Sequence, residues 1–210
     1  AKNFDTNCSF EFNGTNPQST GSLLPETVKN LTINNSMWAV TLSAPVTVTN
    51  NLTLTSGAIT TTTTNLLTVT NTVPTAITRT SGYVNGPLDW KITGTGSEDF
   101  LFPISDFPEG YQKFIMLNKV NALDAVIRAE CFSGGASTVT GVLTKIHPRN
   151  WKLTNVNSGT FTSASFTLYE NGLNSANKNL IGKSELQAGD YSTIGGTIGT
   201  GVITSDVQTS

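Results

Sequence analysis

The residues that could do chemistry are few and widely spaced. The single histidine is His147, followed by Pro148. Nucleophilic catalysis needs a base and an orienting group beside the nucleophile, and no G-x-S-x-G elbow occurs. His147 therefore reads as a surface or packing residue. Paired carboxylates could hydrolyse a glycoside. The pairs Glu98/Asp99 and Asp106/Glu109 sit in apparent loops, however, and read as solvated turn residues. Glu130 alternates with Arg128 on one strand face, which predicts a local ion pair or a rim position. Asp99, Asp106 and Glu109 could supply carboxylates to Ca²⁺, without the D-x-D-x-D-G run of an EF-hand loop. No other cofactor is expected, and the chain does not read as an enzyme.

Two non-catalytic chemistries remain. Exposed aromatic faces flanked by hydrogen-bonding side chains can hold a glycan. Trp90, Tyr111 and Tyr83 are the candidate platforms, Trp90 because it follows Asp89 near a turn. Trp38 shares an alternating strand with Val40 and Leu42, and Trp151 alternates with Leu153, so both read as core. Thr47 and Thr49 recur as Thr68 and Thr70. A regular Thr-x-Thr array can order water at an ice surface, or can simply reflect the β-propensity of threonine.

The elements that hold these residues follow from composition and period. In 210 residues, 12% are charged and the formal net charge is −2. Twelve Lys and Arg spread over that length make no basic face for nucleic acid. No apolar run reaches the ~18 residues of a membrane-spanning helix. Thr, Ser and Asn supply about a third of the chain, and 37% is hydrophobic, which suits folded β-structure rather than disorder. Cys8 and Cys131 could form one long-range disulfide or remain two thiols. A charge-poor, hydroxyl-rich surface of this kind is expected outside the cell.

The first half carries a hidden period. Thr47-Val48-Thr49-Asn50 returns as Thr68-Val69-Thr70-Asn71, 21 positions later. Asn30-Leu31-Thr32-Ile33 aligns with Asn51-Leu52-Thr53-Leu54 at the same offset, and Phe10 and Phe12 fall one period before Leu31 and Ile33. Such a period with apolar/polar alternation predicts a β-solenoid. Leu31/Ile33, Val40/Leu42, Val46/Val48, Leu52/Leu54 and Leu67/Val69 should point inward, with the threonines outward. Asn50 and Asn71 should stack at a corner. About three coils are expected. One period beyond Leu52 lies Val73, and Pro74 after it predicts a stop, because proline cannot donate to a ladder. A sandwich with evenly spaced strands is the competing fold for this half.

From about residue 76 the period is lost to the eye. Strand-like segments at Ser81–Leu88, Phe100–Ile104, Lys113–Leu117, Ala125–Glu130, Arg149–Leu153, Ala164–Tyr169 and Gly201–Thr204 are separated by turn signals, and no amphipathic helix is visible. The expected architecture is all-β, with a β-solenoid in residues 1–80 and an antiparallel β-sandwich in residues 81–210.

Several of these phrases carry a resemblance. Thr27 to Asn35, Val40 to Ser43, Val46 to Thr49 and Leu52 to Gly57 are similar to phrases in large secreted proteins of the Bacteroidetes. So are the segments Tyr83 to Leu88, Phe102 to Ile104, Trp151 to Thr154 and Asn171 to Leu173. The resemblance implies a secreted or cell-surface module exported by the type IX route, acting as a stalk or adhesin segment. Its partners would be polysaccharide or neighbouring protein modules, with no nucleic acid and no membrane insertion. The sorting domain usual in such cargo is not evident, and the family offers no catalytic residues to carry over.

Overall fold

Alternation of aliphatic and hydroxyl side chains every second residue gives each strand one apolar edge, and stacking those edges removes them from water. In the computed structural model, which describes residues 4–106, 115–134, 138–139, 149–169, 180–186 and 188–209, that stacking builds a β-solenoid of about five turns. The strands of the solenoid are β1 (Ser9–Phe12), β2 (Gln18–Ser19), β3 (Thr27–Thr41), β4 (Val46–Thr60), β5 (Leu67–Val69), β6 (Ile77–Arg79), β7 (Tyr83–Asn85), β8 (Leu88–Thr95), β9 (Phe100–Phe102) and β10 (Ile104–Ser105).

Each full coil contributes three short segments, so three columns of parallel strands rise along the solenoid. One column joins β3, β4, β5 and β8 through Val28, Val48, Val69 and Trp90. A second joins β1, β3, β4 and β6 through Phe10, Leu31, Leu52 and Ile77. The third joins β2, β3, β4, β7 and β10 through Gln18, Val40, Ile59, Val84 and Ile104. Rungs about 4.8 Å apart put like side chains in contact. Every inward pair expected from the alternation is buried.

The period persists further than the sequence suggested, giving five coils rather than three. Pro74 does not stop it. Pro74–Ala76 forms a 3₁₀ turn that absorbs four extra residues. Ile77, not Val73, then takes the place above Leu52. Val73 is pushed out to solvent. The spacing stretches to 25 residues from Leu52 to Ile77 and from Ile59 to Val84, while Val69 to Trp90 keeps 21, which hides the repeat from a fixed-offset comparison in the second and third columns.

The parallel stack ends where β11 (Ile115–Ser133) lies antiparallel along β8, pairing Ile127 with Trp90 and Ala129 with Leu88. β11 is the spine of the second half and merges two segments that sequence alone separated. On one side it pairs first with β9 and then with β8. After β12 (Thr138–Val139), its other side takes β13 (Arg149–Asn155) and β14 (Thr160–Tyr169). The partners change across an irregular stretch near Asp124, whose φ is +53°. Beyond follow β15 (Gly182–Lys183), β16 (Asp190–Thr193), β17 (Thr197–Gly199), β18 (Val202–Thr204) and β19 (Gln208–Thr209), with β18 and β19 antiparallel to β14. The antiparallel strands expected of the second half are present. Most of them continue the solenoid's own sheet, while β12, β16 and β15 form a separate three-stranded sheet.

One apolar cluster therefore runs from Val28 in the solenoid to Ala164 in β14. Among the described residues, no helix is long and apolar enough to cross a membrane.

Candidate functional site

Side chains that leave the core decide what the surface can do. At the corner between the first two columns, amides form a ladder along the solenoid. Asn30 Nδ2 donates to Ser9 Oγ at 2.8 Å, Asn50 Nδ2 to Asn30 Oδ1 at 2.8 Å, and Asn71 Nδ2 to the Asn50 carbonyl at 3.1 Å. Trp90 Nε1 closes the series on the Asn71 carbonyl at 2.8 Å. The asparagine stack expected from Asn50 and Asn71 is thus present and longer than the repeat showed.

The threonine array is also formed. Thr27, Thr47 and Thr68 are in register on the outer face. Thr49 and Thr70 lie beside them, and each hydroxyl donates to the carbonyl of the coil before, Val28 at 3.3 Å and Val48 at 3.4 Å. Asp89 ends the column, held by Arg128 through bonds of 2.7 and 2.9 Å. Arg128 therefore pairs with Asp89 across the strands rather than with Glu130, which lies 4.0 Å from Lys152 instead. The register puts Arg128 opposite Asp89, a contact that spacing along one strand cannot show.

The aromatic platforms fare differently. Trp90 is not on the surface. It is fully buried and packs edge-on against Phe100 and Phe102, with ring centroids 5.1 and 5.3 Å away. Its place is set by the 21-residue step from Val69, which outweighs the local turn signal. Trp38 errs in the opposite direction: it is 52% exposed beside Met37, because β3 bulges between Asn34 and Ala39. Gly57 fits beneath this bulge with φ +72°, and a Cβ there would fall 1.9 Å from the Asn35 carbonyl oxygen. Trp151 is partly buried against the core, as expected. Tyr83 faces outward but is half-buried, and burial raises its phenol above the ordinary value. Tyr111, Glu109 and His147 lie outside the described residues.

Two of the three carboxylates considered for Ca²⁺ are described. Asp106 accepts a hydrogen bond from Ser133, while Asp99 lines a groove among later strands. Among the described residues no group of three or more His, Cys, Asp or Glu could hold a metal ion. Cys8 and Cys131 are not joined in a disulfide, the first partly exposed and the second buried.

The groove beside Asp99 is a feature that sequence reading missed. β14 puts Phe166 and Leu168 against the core, so Ser165, Thr167 and Tyr169 share the opposite face. Thr167 faces Thr204 on β18, and Thr204 faces Thr197 on β17. Three threonines thus form a row across three strands, and the first two hydroxyls lie 2.9 Å apart. With Asp99, Ser165 and Asp206 they line a groove of about 610 Å³. The chain leaving β18 is held by Ser205, whose Oγ accepts from the Phe166 amide and donates to the Asp206 carbonyl. Gly195, at φ +78°, leaves room for the Asp206 carboxylate, since a Cβ there would fall 2.2 Å from Oδ2. Burial, and then the negative charge of Asp99, raise the Tyr169 phenol. The alternation Ser165-Thr167-Tyr169 was the available signal; its partners lie nearly 40 residues away.

No protein-family model, no curated protein and no solved structure matches the chain.

Proposed function

We propose that the chain is a non-enzymatic structural and adhesive module of a larger secreted or cell-surface protein. The observation that carries this reading is the single apolar core shared by the solenoid and the antiparallel strands through Trp90 and β11. A column with one core transmits load along its length, because bending it would open aliphatic contacts coil by coil. The low charge and the outward Thr and Asn ladders suit contact with neutral polysaccharide or with neighbouring modules. The resemblance to Bacteroidetes surface proteins points the same way.

Adhesion is the direct test. Beads carrying the purified chain should be held against flow on polysaccharide-coated glass or on glass coated with the chain itself, above beads carrying an inert protein. Equal release from every surface would overturn the adhesive half of the proposal.

Carbohydrate recognition is the second reading, favoured by the hydroxyl-lined groove, while Trp90 is withdrawn into the core. Ice binding rests on Thr27, Thr47, Thr49, Thr68 and Thr70, and thermal hysteresis of the purified chain is its test.

A further inference from the structure

Met37 and Trp38 stand 72% and 52% exposed on a corner that the first coils enlarge. Between the second and third columns the chain takes six steps from Phe12 to Gln18 and seven from Ile33 to Val40. The next two coils cross the same corner in five, from Leu54 to Ile59 and from Arg79 to Val84. The first two coils therefore share a ledge made of residues 13–17 and 34–38. We propose that this ledge binds a neutral saccharide, with a sugar ring stacked on the Trp38 indole. This deepens the adhesive reading and rests on it, since it names the side chain that would grip a polysaccharide.

The ledge is held in place before any partner arrives. Asn35 is fully buried, and both of its amide hydrogens are used. Its Nδ2 donates to the Asn16 carbonyl at 2.7 Å and to Gln18 Oε1 at 3.2 Å, while its Oδ1 accepts from the Trp38 amide at 3.2 Å. Gln18 Oε1 also accepts from the Gly14 amide at 3.1 Å. One buried side chain thus ties the two corners together and fixes the backbone at Trp38. Gly57 leaves the space beneath, since a Cβ there would lie 2.8 Å from the Trp38 carbonyl oxygen. A platform fixed in advance loses little freedom on binding. The bulge also decides where the indole goes. Unbroken alternation would put Trp38 on the inward face with Val40 and Leu42, and a bulge re-aims it.

The surroundings select the partner. Residues 13–17 and 34–38 include no charged side chain. Asn13, Thr15, Asn16 and Ser36 are exposed and offer amides and hydroxyls to sugar hydroxyls. The electron-rich face of the indole attracts the C–H side of a pyranose. A uronate or sulfated sugar would find no cation on the ledge, and Glu11 at its margin accepts from Asn34 Nδ2 at 3.1 Å. Protein interfaces seat their aromatic anchors in a well-packed, desolvated centre. Here two apolar side chains stand among polar ones, which favours a glycan over a protein surface.

The experiment is retention of the whole chain on columns of immobilised cello-oligosaccharide, N-acetylated chito-oligosaccharide and oligoguluronate. The wild type should be retained on at least one of the first two and not on the third. Trp38→Ala should weaken that retention about tenfold or more, the loss expected for an aromatic anchor. Soluble oligosaccharide of the retained kind should shift wild-type tryptophan emission to shorter wavelength, and the shift should vanish in Trp38→Phe. That second readout keeps the test open if Trp38→Ala fails to fold. Unchanged retention in a folded Trp38→Ala, or an emission shift that persists in Trp38→Phe, would overturn the site while leaving the adhesive reading intact. Retention only on oligoguluronate would also overturn it. Silence of the wild type on all columns would overturn it too. The bead assay on chain-coated glass would then decide the adhesive reading separately, and loss of that adhesion in Trp38→Ala would assign the ledge to a protein partner instead.

Discussion

Replacing Trp90 with alanine probes the joint between the two halves. The indole is fully buried, touches Phe100 and Phe102 edge-on, and bonds the Asn71 carbonyl at 2.8 Å. Truncating a buried tryptophan costs about 3–5 kcal/mol, through lost transfer energy and the cavity left behind. Two edge-on ring contacts and one hydrogen bond are lost with it, so about 4–5 kcal/mol is expected here. In a chain of this length, that lowers the melting midpoint by roughly 8–20 °C, at about 2–4 °C per kcal/mol. The assay is urea unfolding followed by the fluorescence of Trp38, on solenoid strand β3, and of Trp151, on β13. Adding Trp151→Phe or Trp38→Phe leaves one reporter in each half. Both reporters should show the same lowered midpoint. A loss below about 1 kcal/mol would refute the burial argument, and separate midpoints for the two reporters would refute the shared core.

Other perturbations separate neighbouring effects. Asn30→Ala removes one side-chain donor and the acceptor of both Asn50 Nδ2 and the Asn51 amide. It should cost about 2–3 kcal/mol in urea unfolding, against about 1 for Asn50→Ala, which loses one bond. Gly57→Ala forces a Cβ against the Asn35 carbonyl at positive φ, so a loss above about 3 kcal/mol, or failure to fold, is expected. Arg128→Met leaves the buried Asp89 carboxylate uncompensated and should cost about 3 kcal/mol, which Asp89→Asn in the same chain should partly restore. The phenols of Tyr83, Tyr169 and Tyr191 are raised by burial, so the folded state favours their neutral form. Their contribution is complete below the ordinary phenol value of about 10 and is lost as pH rises through the folded values, so ultraviolet titration should show phenolate appearing late, followed by unfolding. Thiol titration should find Cys8 reactive in the native protein and Cys131 reactive only after unfolding.

What the sequence shows and what it hides follow from the same geometry. Alternation and a repeat of 21 are local properties, so the burial of Leu31, Leu52, Val48 and Val69 is legible in the sequence. Four extra residues around the 3₁₀ turn Pro74–Ala76 break the numerical repeat at Ile77 without breaking the physical one, because a 3₁₀ turn can store residues outside a strand ladder. Trp90 keeps the 21-residue step from Val69 and is buried there, although its sequence neighbours suggest a turn. Trp38 was misplaced by a bulge, where the two-residue alternation fails by construction. The groove was invisible for a third reason. Its row of Thr167, Thr204 and Thr197 arises from antiparallel register across three strands, and register between distant strands is set by the fold as a whole.

The central claim is that solenoid and antiparallel strands form one load-bearing column. Pulling the chain by Ser9 and Thr209 in single-molecule force spectroscopy tests it most directly. The account predicts one dominant rupture releasing about 70 nm of chain, at roughly 3.5 Å per residue. A series of small releases of about 7 nm, one coil apiece, would show coils that yield independently and would contradict it.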